Sequence, residues 1–130
     1  MIHVELVVGS RYPVDRNKIR QRAIQVLGDH RITHGQIAIS IVGKRKIKEL
    51  NEGILKHEGI TDVLSFPQQN NTHEASFPLP EGMPPHLGDI VICFPVAVAQ
   101  AKRYGKRVDE QLCFYTEHGL LHLLGYHHDE

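Results

Sequence analysis

The pattern of apolar and polar positions divides the chain into strands and helices. Four short segments either alternate apolar with polar side chains or are nearly all apolar, which indicates β-strands. They are residues 2–8, 36–42, 61–67 and 88–94. Four other segments have helical spacing or helix start and stop residues. They are residues 15–27, 44–56, 95–105 and 109–124. The fourth strand is nearly all apolar, so we expect it to be central in its sheet.

Helix ends and inward faces can also be assigned from residue type. Asp15 and Asp109 are suited to cap the starts of the first and last helices, since a carboxylate accepts a bond from an unpaired backbone N–H. Gly28 is predicted to close the first helix. Helical spacing places Ile24 of the first helix and Ile54 of the second on inward faces.

The order of these elements predicts an α+β fold, with a four-stranded mixed sheet packed with about four helices. At 130 residues and 41% apolar composition, the chain has room for one hydrophobic core. We therefore expect residues 1–130 to form a single domain. Residues 68–86 hold four prolines and show little periodicity, which predicts a loop that is long for so small a domain.

Cysteine usage and the absence of apolar runs indicate a cytoplasmic protein. Cys93 and Cys113 follow no paired ligand pattern and are interpreted as small buried apolar residues in a reducing compartment. The N-terminal segment has no basic region or cleavage site of a signal peptide. No apolar stretch approaches the ~20 residues of a membrane-spanning helix, so no membrane partner is expected.

The charge is unevenly distributed although the formal net charge is zero. Residues 1–56 hold eleven of the fifteen Lys and Arg and five of the fifteen acidic residues, so this part carries +6 and the rest −6. Two interpretations stay open for its basic residues: solvated helix faces, or contacts with nucleic-acid phosphates. The residues concerned are Arg16, Lys18, Arg20, Arg22, Lys44, Arg45, Lys46 and Lys48.

A histidine cluster near the C-terminus has the spacing of a metal site. His118 and His122 are four positions apart, so both imidazoles lie on one helix face and can reach one ion. Gly125 supplies a left-handed turn that brings back His128 as the third ligand, whereas His127 is predicted to point away. Three histidines leave zinc one open position, which is typical of a catalytic site. Nickel or copper would also accept three imidazoles.

The same histidine spacing occurs in metzincin proteases, which carry a glutamate directly after the first histidine as the general base. Here that position is Gly119. Since no carboxylate is available to deprotonate a zinc-bound water, a zinc peptidase is disfavoured.

The cluster resembles the signature of the bacterial YbeY family, an rRNA maturation factor and endoribonuclease family. The signature H-G-x-x-H-x-x-G-Y-D-H is matched except at His127, where the family has aspartate. The family's T-D-V-L-S-F-P and L-G-D-I-x-I blocks stand at residues 61–67 and 87–92, and its asparagine at Asn51. The resemblance implies a cytoplasmic zinc-dependent endoribonuclease that acts on single-stranded RNA in small-subunit rRNA 3′-end maturation and ribosome quality control. It also implies the ribosome or ribosomal proteins as partners.

Four further residues are candidates for the site. Many family members have an arginine that assists RNA cleavage where this chain has Leu55, so Lys56 and His57 become the catalytic candidates, with a solvated helix end as the alternative. A lysine offers a point charge to a phosphate, not the bidentate fork of arginine. Asp62 and Asp89 can support a metal-bound histidine through its free ring N–H, or can bind backbone N–H groups locally. The local role is slightly favoured for Asp62, and both stay open for Asp89.

Two routes of RNA cleavage are compatible with the cluster. A bound metal lowers the pKa of its water to about 7, or it acts only as a Lewis acid while RNA uses its own 2′-hydroxyl. The alternative function is a non-catalytic ribosome-assembly binding factor with a structural metal, which the missing arginine favours. We also predict that the loop 68–86 is mobile and borders the metal cleft.

Overall fold

The computed structural model describes residues 1–9, 12–67 and 85–126. Within these ranges the chain forms four strands and four helices. They are β1 (Ile2–Val8), α1 (Arg16–Asp29), β2 (Gly35–Val42), α2 (Lys44–Gly53), β3 (Val63–Pro67), β4 (His86–Cys93), α3 (Phe94–Arg103) and α4 (Val108–Leu123).

The four strands form one mixed sheet in the order β1-β2-β4-β3. β1, β2 and β4 are parallel to one another, and β3 runs antiparallel to β4. The α+β fold is therefore confirmed, and β4 is a central strand as its apolar composition predicts. Residues of β2 alternate between buried and half-buried, which matches the two-residue period of apolar positions in its sequence.

One face of the sheet, the α4 face, carries the larger hydrophobic cluster under α1 and α4. Ile37, Ile39 and Ile90 of the central strands lie at its centre and are fully buried. Burying a side chain of this size contributes roughly 1.5–3 kcal/mol. This cluster fixes the position of α4 relative to the sheet.

The opposite face, the α2 face, carries a smaller cluster beneath α2. Ile47 of α2 packs there against Leu64, Val91 and Cys93. Because side chains alternate along a strand, Val91 lies on this face and its neighbour Ile90 lies on the other. α2 and α4 therefore cover the β3–β4 side of the sheet from opposite faces.

The prediction for the end of α1 was wrong. The helix continues through Gly28 to Asp29, and the left-handed residue that follows is Arg31, with φ 63°. Ile24 is 46% exposed, and Val26 is buried in its place. The buried residues of α1 keep to one stripe, and Ile24 lies beside that stripe.

The second helix is shorter than predicted. α2 ends at Gly53, and Ile54 is 58% exposed instead of inward-facing. The chain then turns back on the helix, because the Asn51 side-chain amide donates to the Gly59 carbonyl at 3.1 Å. Lys56 takes a left-handed conformation with φ 62° in this turn.

The start of α4 also differs from the prediction. Arg107, not Asp109, is the N-cap residue, and its backbone N–H donates to the Glu110 carboxylate at 2.9 Å. This is one half of a capping box. The Asp109 carboxylate instead accepts a longer bond of 3.4 Å from the backbone N–H of Asp15, which caps α1 as predicted.

Both cysteines are buried and free, as predicted. Burial raises the pKa of the Cys93 and Cys113 thiols above the ordinary value, which keeps both in the unreactive protonated form. Among the described residues, no helix has the length and apolar character needed to cross a membrane. Residues 68–84 of the predicted loop lie outside the described part, while His86 begins β4.

Candidate metal centre

The histidine helix approaches the sheet closely at one glycine. A Cβ atom on Gly119 would lie 2.9 Å from the Cγ2 atom of Ile90, which is fully buried on β4. One turn later, Leu123 packs over Gly88 so tightly that a Cβ atom there would lie 2.6 Å from its Cδ2 atom. These two contacts hold the C-terminal half of α4 against the sheet.

The close approach at Gly119 also explains why this position has no acidic side chain. Gly119 faces Ile90 and the sheet, so a glutamate side chain would enter the hydrophobic cluster. The general base of a zinc peptidase therefore has no space at the position after His118. The structure adds a steric reason to the chemical argument from the sequence.

His118 and His122 lie side by side at this end of α4. Their ring centroids are 4.6 Å apart, and the ring planes are inclined by 42°. Both side chains are half-buried, and the Nε2 atom of His122 is shielded from solvent. The four-residue spacing thus brings two imidazoles together on one face of the helix, as predicted.

The chain leaves α4 through a Schellman turn. The backbone N–H of Gly125 donates to the His122 carbonyl at 3.0 Å, and that of Tyr126 donates to the Leu121 carbonyl at 2.8 Å. Gly125 has φ 97°, in the left-handed region that glycine adopts at low cost. The predicted left-handed turn is therefore confirmed. His127 and His128 lie outside the described residues.

The turn after α4 also contacts the end of α1. The rings of His30 and Tyr126 have centroids 5.1 Å apart. His30 is the C-cap residue of α1, so the end of α1 and the turn after α4 lie next to each other. This contact lies next to the segment that carries the third predicted ligand.

The described residues contain no group of three histidines, cysteines or acids placed to hold a metal ion. The predicted third ligand, His128, is not among them. The pair His118 and His122 has the donor type and the proximity that zinc requires of two of its ligands. The complete three-histidine set stays a prediction.

The two aspartates have different surroundings. Asp62 accepts a 2.8 Å bond from the backbone N–H of Val63 and a 3.3 Å bond from the Thr61 hydroxyl. These are the local bonds at a strand start that the sequence favours for Asp62. Asp89 lies 3.3 Å from the Nε2 atom of His86.

The position of Asp89 in β4 argues against support of the metal ligands. Ile90, which contacts Gly119 of α4, alternates with Asp89 and Val91 along the strand. Since Val91 belongs to the cluster beneath α2, Asp89 projects from the α2 face too. His118 and His122 belong to the helix on the opposite face.

Leu55, which stands at the position of the family arginine, and the two residues after it differ in solvent exposure. Leu55 packs against the smaller cluster, whereas Lys56 and His57 are exposed. Asn51 is buried, and its carbonyl accepts a 3.1 Å bond from the backbone N–H of His57. The asparagine of the family motif therefore fixes the turn on which Lys56 and His57 stand.

Three of the four basic side chains of α1 have partners within the protein. The Arg16 and Arg20 guanidinium groups donate to the carbonyls of Leu6 and Val4, at 3.1 and 3.5 Å, along the edge strand β1. Arg22 pairs with Glu117 of α4 at 3.2 Å. These contacts favour the structural interpretation for the basic face of α1.

The basic residues of α2 are more available for phosphate contact. Lys44, Arg45, Lys46 and Lys48 are all exposed. Arg45 forms an ion pair with Glu49 at 3.8 Å, and the two side chains are 95% and 59% exposed. Such an exposed pair contributes about 0–1 kcal/mol. The remaining positive charge of α2 faces solvent.

The sequence reading missed one aromatic residue beside the histidines. Phe114 is 50% exposed, and its ring centroid lies 6.2 Å from that of His118. We call Phe114, His118 and His122 the aromatic row. Their regular four-residue spacing is the signal that would have identified Phe114.

The comparison with known proteins identifies the family. A family model described as Endoribonuclease YbeY matches residues 10–130. The chain belongs to the YbeY family. The family resemblance that the histidine signature indicates is therefore confirmed.

Individual YbeY relatives support the assignment. Endoribonuclease YbeY of Symbiobacterium thermophilum is 38% identical over 114 residues, which cover 85% of this chain and 70% of the relative. The Dehalococcoides mccartyi protein of that name (strain BAV1) is 41% identical over 100 residues, covering 73% of this chain and 62% of its own length. The Staphylococcus aureus protein (strain Newman) is 37% identical over 102 residues, covering 77% and 64%. The chain thus spans less than two thirds of the length of several YbeY relatives.

The fold also has a counterpart of known structure. The solution structure of a Thermotoga maritima protein aligns with a TM-score of 0.59 at 24% identity. The alignment covers 99% of this chain and 75% of that protein. This similarity supports the arrangement of strands and helices.

Proposed function

We propose that this protein is a zinc-dependent endoribonuclease that cleaves single-stranded RNA. The observation that carries the proposal is the pair of imidazoles of His118 and His122, 4.6 Å apart beside the Schellman turn at Gly125. The naming of the YbeY relatives as endoribonucleases supports the choice of RNA as substrate. Small-subunit rRNA 3′-end maturation, ribosome quality control, ribosomal partners and a cytoplasmic location are parts of the same proposal.

The metal would be held by His118, His122 and His128. Neutral imidazole nitrogens are good zinc ligands, and three of them leave a coordination position for a small oxygen ligand. When bound, zinc supplies Lewis acidity, which neutralises charge on a phosphoryl group and favours deprotonation of water near neutral pH. Other divalent transition metals are compatible with the same donors.

The chain's own residues have positioning roles in this proposal. The helix places the rings of His118 and His122 side by side, 4.6 Å apart, where both could bind one ion. Gly119 holds that helix against the sheet. The turn at Gly125 folds the chain at Tyr126 back on the last turn of the helix, as a third ligand at His128 would require.

Lys56 and His57 keep their place as weak candidates for a contact with the RNA. Both are exposed, and the turn that carries them is fixed by Asn51. A lysine at this turn offers a single point charge to a phosphate. Leu55 offers none, since it packs against the smaller cluster.

A non-catalytic ribosome-assembly binding factor is the second candidate function. Leu55 in the smaller cluster favours it, because an apolar residue stands where the family has a cleavage-assisting arginine. The exposed basic residues of α2 would serve either function. A zinc peptidase is a weaker third candidate because Gly119 lies against Ile90.

The deciding experiment combines metal analysis of the purified protein with an RNA cleavage assay. We expect one zinc ion per chain and cleavage of a labelled single-stranded RNA that stops in chelator and resumes when zinc is restored. A protein that binds RNA and retains zinc but leaves the RNA intact would support the binding factor instead.

A further inference from the structure

The aromatic row extends the candidate metal centre towards the start of α4. Phe114 lies one helical turn before His118, and the two ring planes differ by only 27°. Phe114 is 50% exposed, so half of this apolar ring is open to solvent at the candidate metal centre. Its aromatic face is available to a planar ligand beside the histidines.

A positive charge lies at the same place. The Lys106 ammonium is 5.2 Å from the centroid of the Phe114 ring, and Lys106 is exposed. An aromatic face with a neighbouring cation matches the two parts of a nucleotide, because bases stack on aromatic rings and phosphates pair with lysine.

We propose that Phe114 and Lys106 form a nucleotide subsite that seats single-stranded RNA beside the metal centre. One base stacks on Phe114, and Lys106 pairs with the attached phosphate. A stacked base binds an aromatic ring more strongly than an exposed lysine does, so the base displaces the ammonium from the ring. This inference rests on the proposed function, which makes RNA the substrate.

The subsite favours single-stranded over duplex RNA and does not select a base sequence. Every base has an aromatic face, so stacking on Phe114 tolerates all four bases. A base inside a duplex is already stacked on both faces and has to be unpaired before it can reach the ring. Phe114 therefore contributes to the preference for single-stranded RNA.

The test measures binding of a fluorescently labelled oligoadenylate to the purified full chain. Phe114→Ala should weaken binding about ten-fold through loss of the stacked base, with an unchanged salt dependence. Lys106→Ala should reduce the slope of log affinity against log salt by about 0.7, the value for one phosphate contact on a single strand. Phe114→Tyr should bind as the unchanged protein does, because the ring is retained.

Matched controls separate stacking from a general loss of structure. Tyr104 is also exposed and has the Arg103 guanidinium 5.5 Å from its ring centroid, but it lies outside the aromatic row. Tyr104→Ala should leave binding unchanged. A thermal melt of the Phe114→Ala protein should still show one cooperative transition, at a slightly lower temperature because half of this ring is buried.

Oligoadenylates with a single abasic position give the sharpest outcome. Removal of the base that stacks on Phe114 should weaken binding to the unchanged protein. The same oligonucleotide should bind the Phe114→Ala protein as well as the intact oligonucleotide does. Equal binding by the Phe114→Ala and unchanged proteins for every oligonucleotide would overturn the subsite. Binding loss in Phe114→Ala without any RNA cleavage by the unchanged protein would contradict the proposed nuclease and leave the subsite standing.

Discussion

The helices α4 and α2 lie on opposite faces of the same two strands and differ in what holds them there. α4 approaches β4 so closely at Gly119 that an added Cβ atom would lie 2.9 Å from the Ile90 side chain, and it carries His118 and His122 side by side. α2 rests on a smaller cluster around Ile47 and projects exposed lysines and an arginine. Metal ligands need a fixed geometry, whereas long-range attraction of RNA needs only charge.

The separation of these two helices has a consequence for RNA binding. β3 is the edge strand on the side of the sheet that α2 and α4 cover, so an RNA that contacts both α2 and the aromatic row has to pass around the sheet from one face to the other. A shorter RNA would engage only one face. If chemistry and long-range attraction of RNA divide between the faces in this way, variants on α4 and on α2 should have different effects.

The largest expected effect is loss of cleavage when a ligand on α4 is removed. His118→Ala should abolish RNA cleavage and leave RNA binding nearly intact, and His122→Ala should lose stoichiometric metal, because two imidazoles rarely retain the ion that three hold. Cleavage gels and elemental analysis measure the two effects. His127→Ala should retain the metal. Cleavage by His118→Ala at the rate of the unchanged protein would show that the metal is not catalytic.

A large loss of stability is expected for Gly119→Glu. The added carboxylate would be forced towards Ile90, and burying a charge in an apolar cluster costs several kcal/mol. Denaturant unfolding should show this loss, and no peptidase activity should appear. The milder Gly119→Ala replacement gains about 1 kcal/mol of helix propensity and loses about 1–3 kcal/mol by overpacking, so a small net loss is expected. A Gly119→Glu protein of undiminished stability would show that this position is not packed against the sheet.

Neutralising the α2 face should weaken RNA binding without affecting the metal. Replacement of Lys44, Arg45, Lys46 and Lys48 by glutamine removes four exposed charges. Each lost phosphate contact should flatten the salt dependence by about 0.7 in log–log slope on single strands. Zinc content should stay at one per chain. Neutralising Arg16 and Arg20 instead is the control, and it should affect stability more than the slope, since both bind carbonyls of β1. An unchanged slope in the α2 variant would place the phosphate contacts on the α4 face alone.

The smallest effect is expected at the turn after the histidine helix. Gly125→Ala forces a Cβ atom into the left-handed conformation, at a cost of roughly 1–2 kcal/mol. Zinc affinity should fall more than global stability, because in the proposal this turn brings His128 to the ion. Competition with a chelator measures the affinity. Gly53→Ala is the matched control on α2, where φ is not left-handed and no atom lies within 4 Å of the new Cβ. Equal zinc affinity in the two variants would separate the turn from metal binding.

The sequence by itself determined the elements, their order and the family. Each of the eight segments shows the periodicity of apolar residues, or the start and stop residues, that its type of element requires. These are local properties of the sequence, so they can be recognised without the tertiary structure. The pairing of His118 with His122 and the turn at Gly125 are likewise local, since both follow from helix geometry within one turn.

Only the tertiary structure decided which apolar residues are exposed to solvent and which basic side chains are free to contact RNA. Ile24 and Ile54 are apolar, as inward residues usually are, but Ile24 lies beside the buried stripe of α1 and Ile54 lies beyond the end of α2. Arg16 is held by a carbonyl of a strand ten positions earlier in the chain, a contact that charge counting cannot reveal. Asp89 was assigned its face by the register of β4, because a shift of one residue exchanges the two faces of a strand. Such contacts join distant parts of the chain, and no local pattern encodes them.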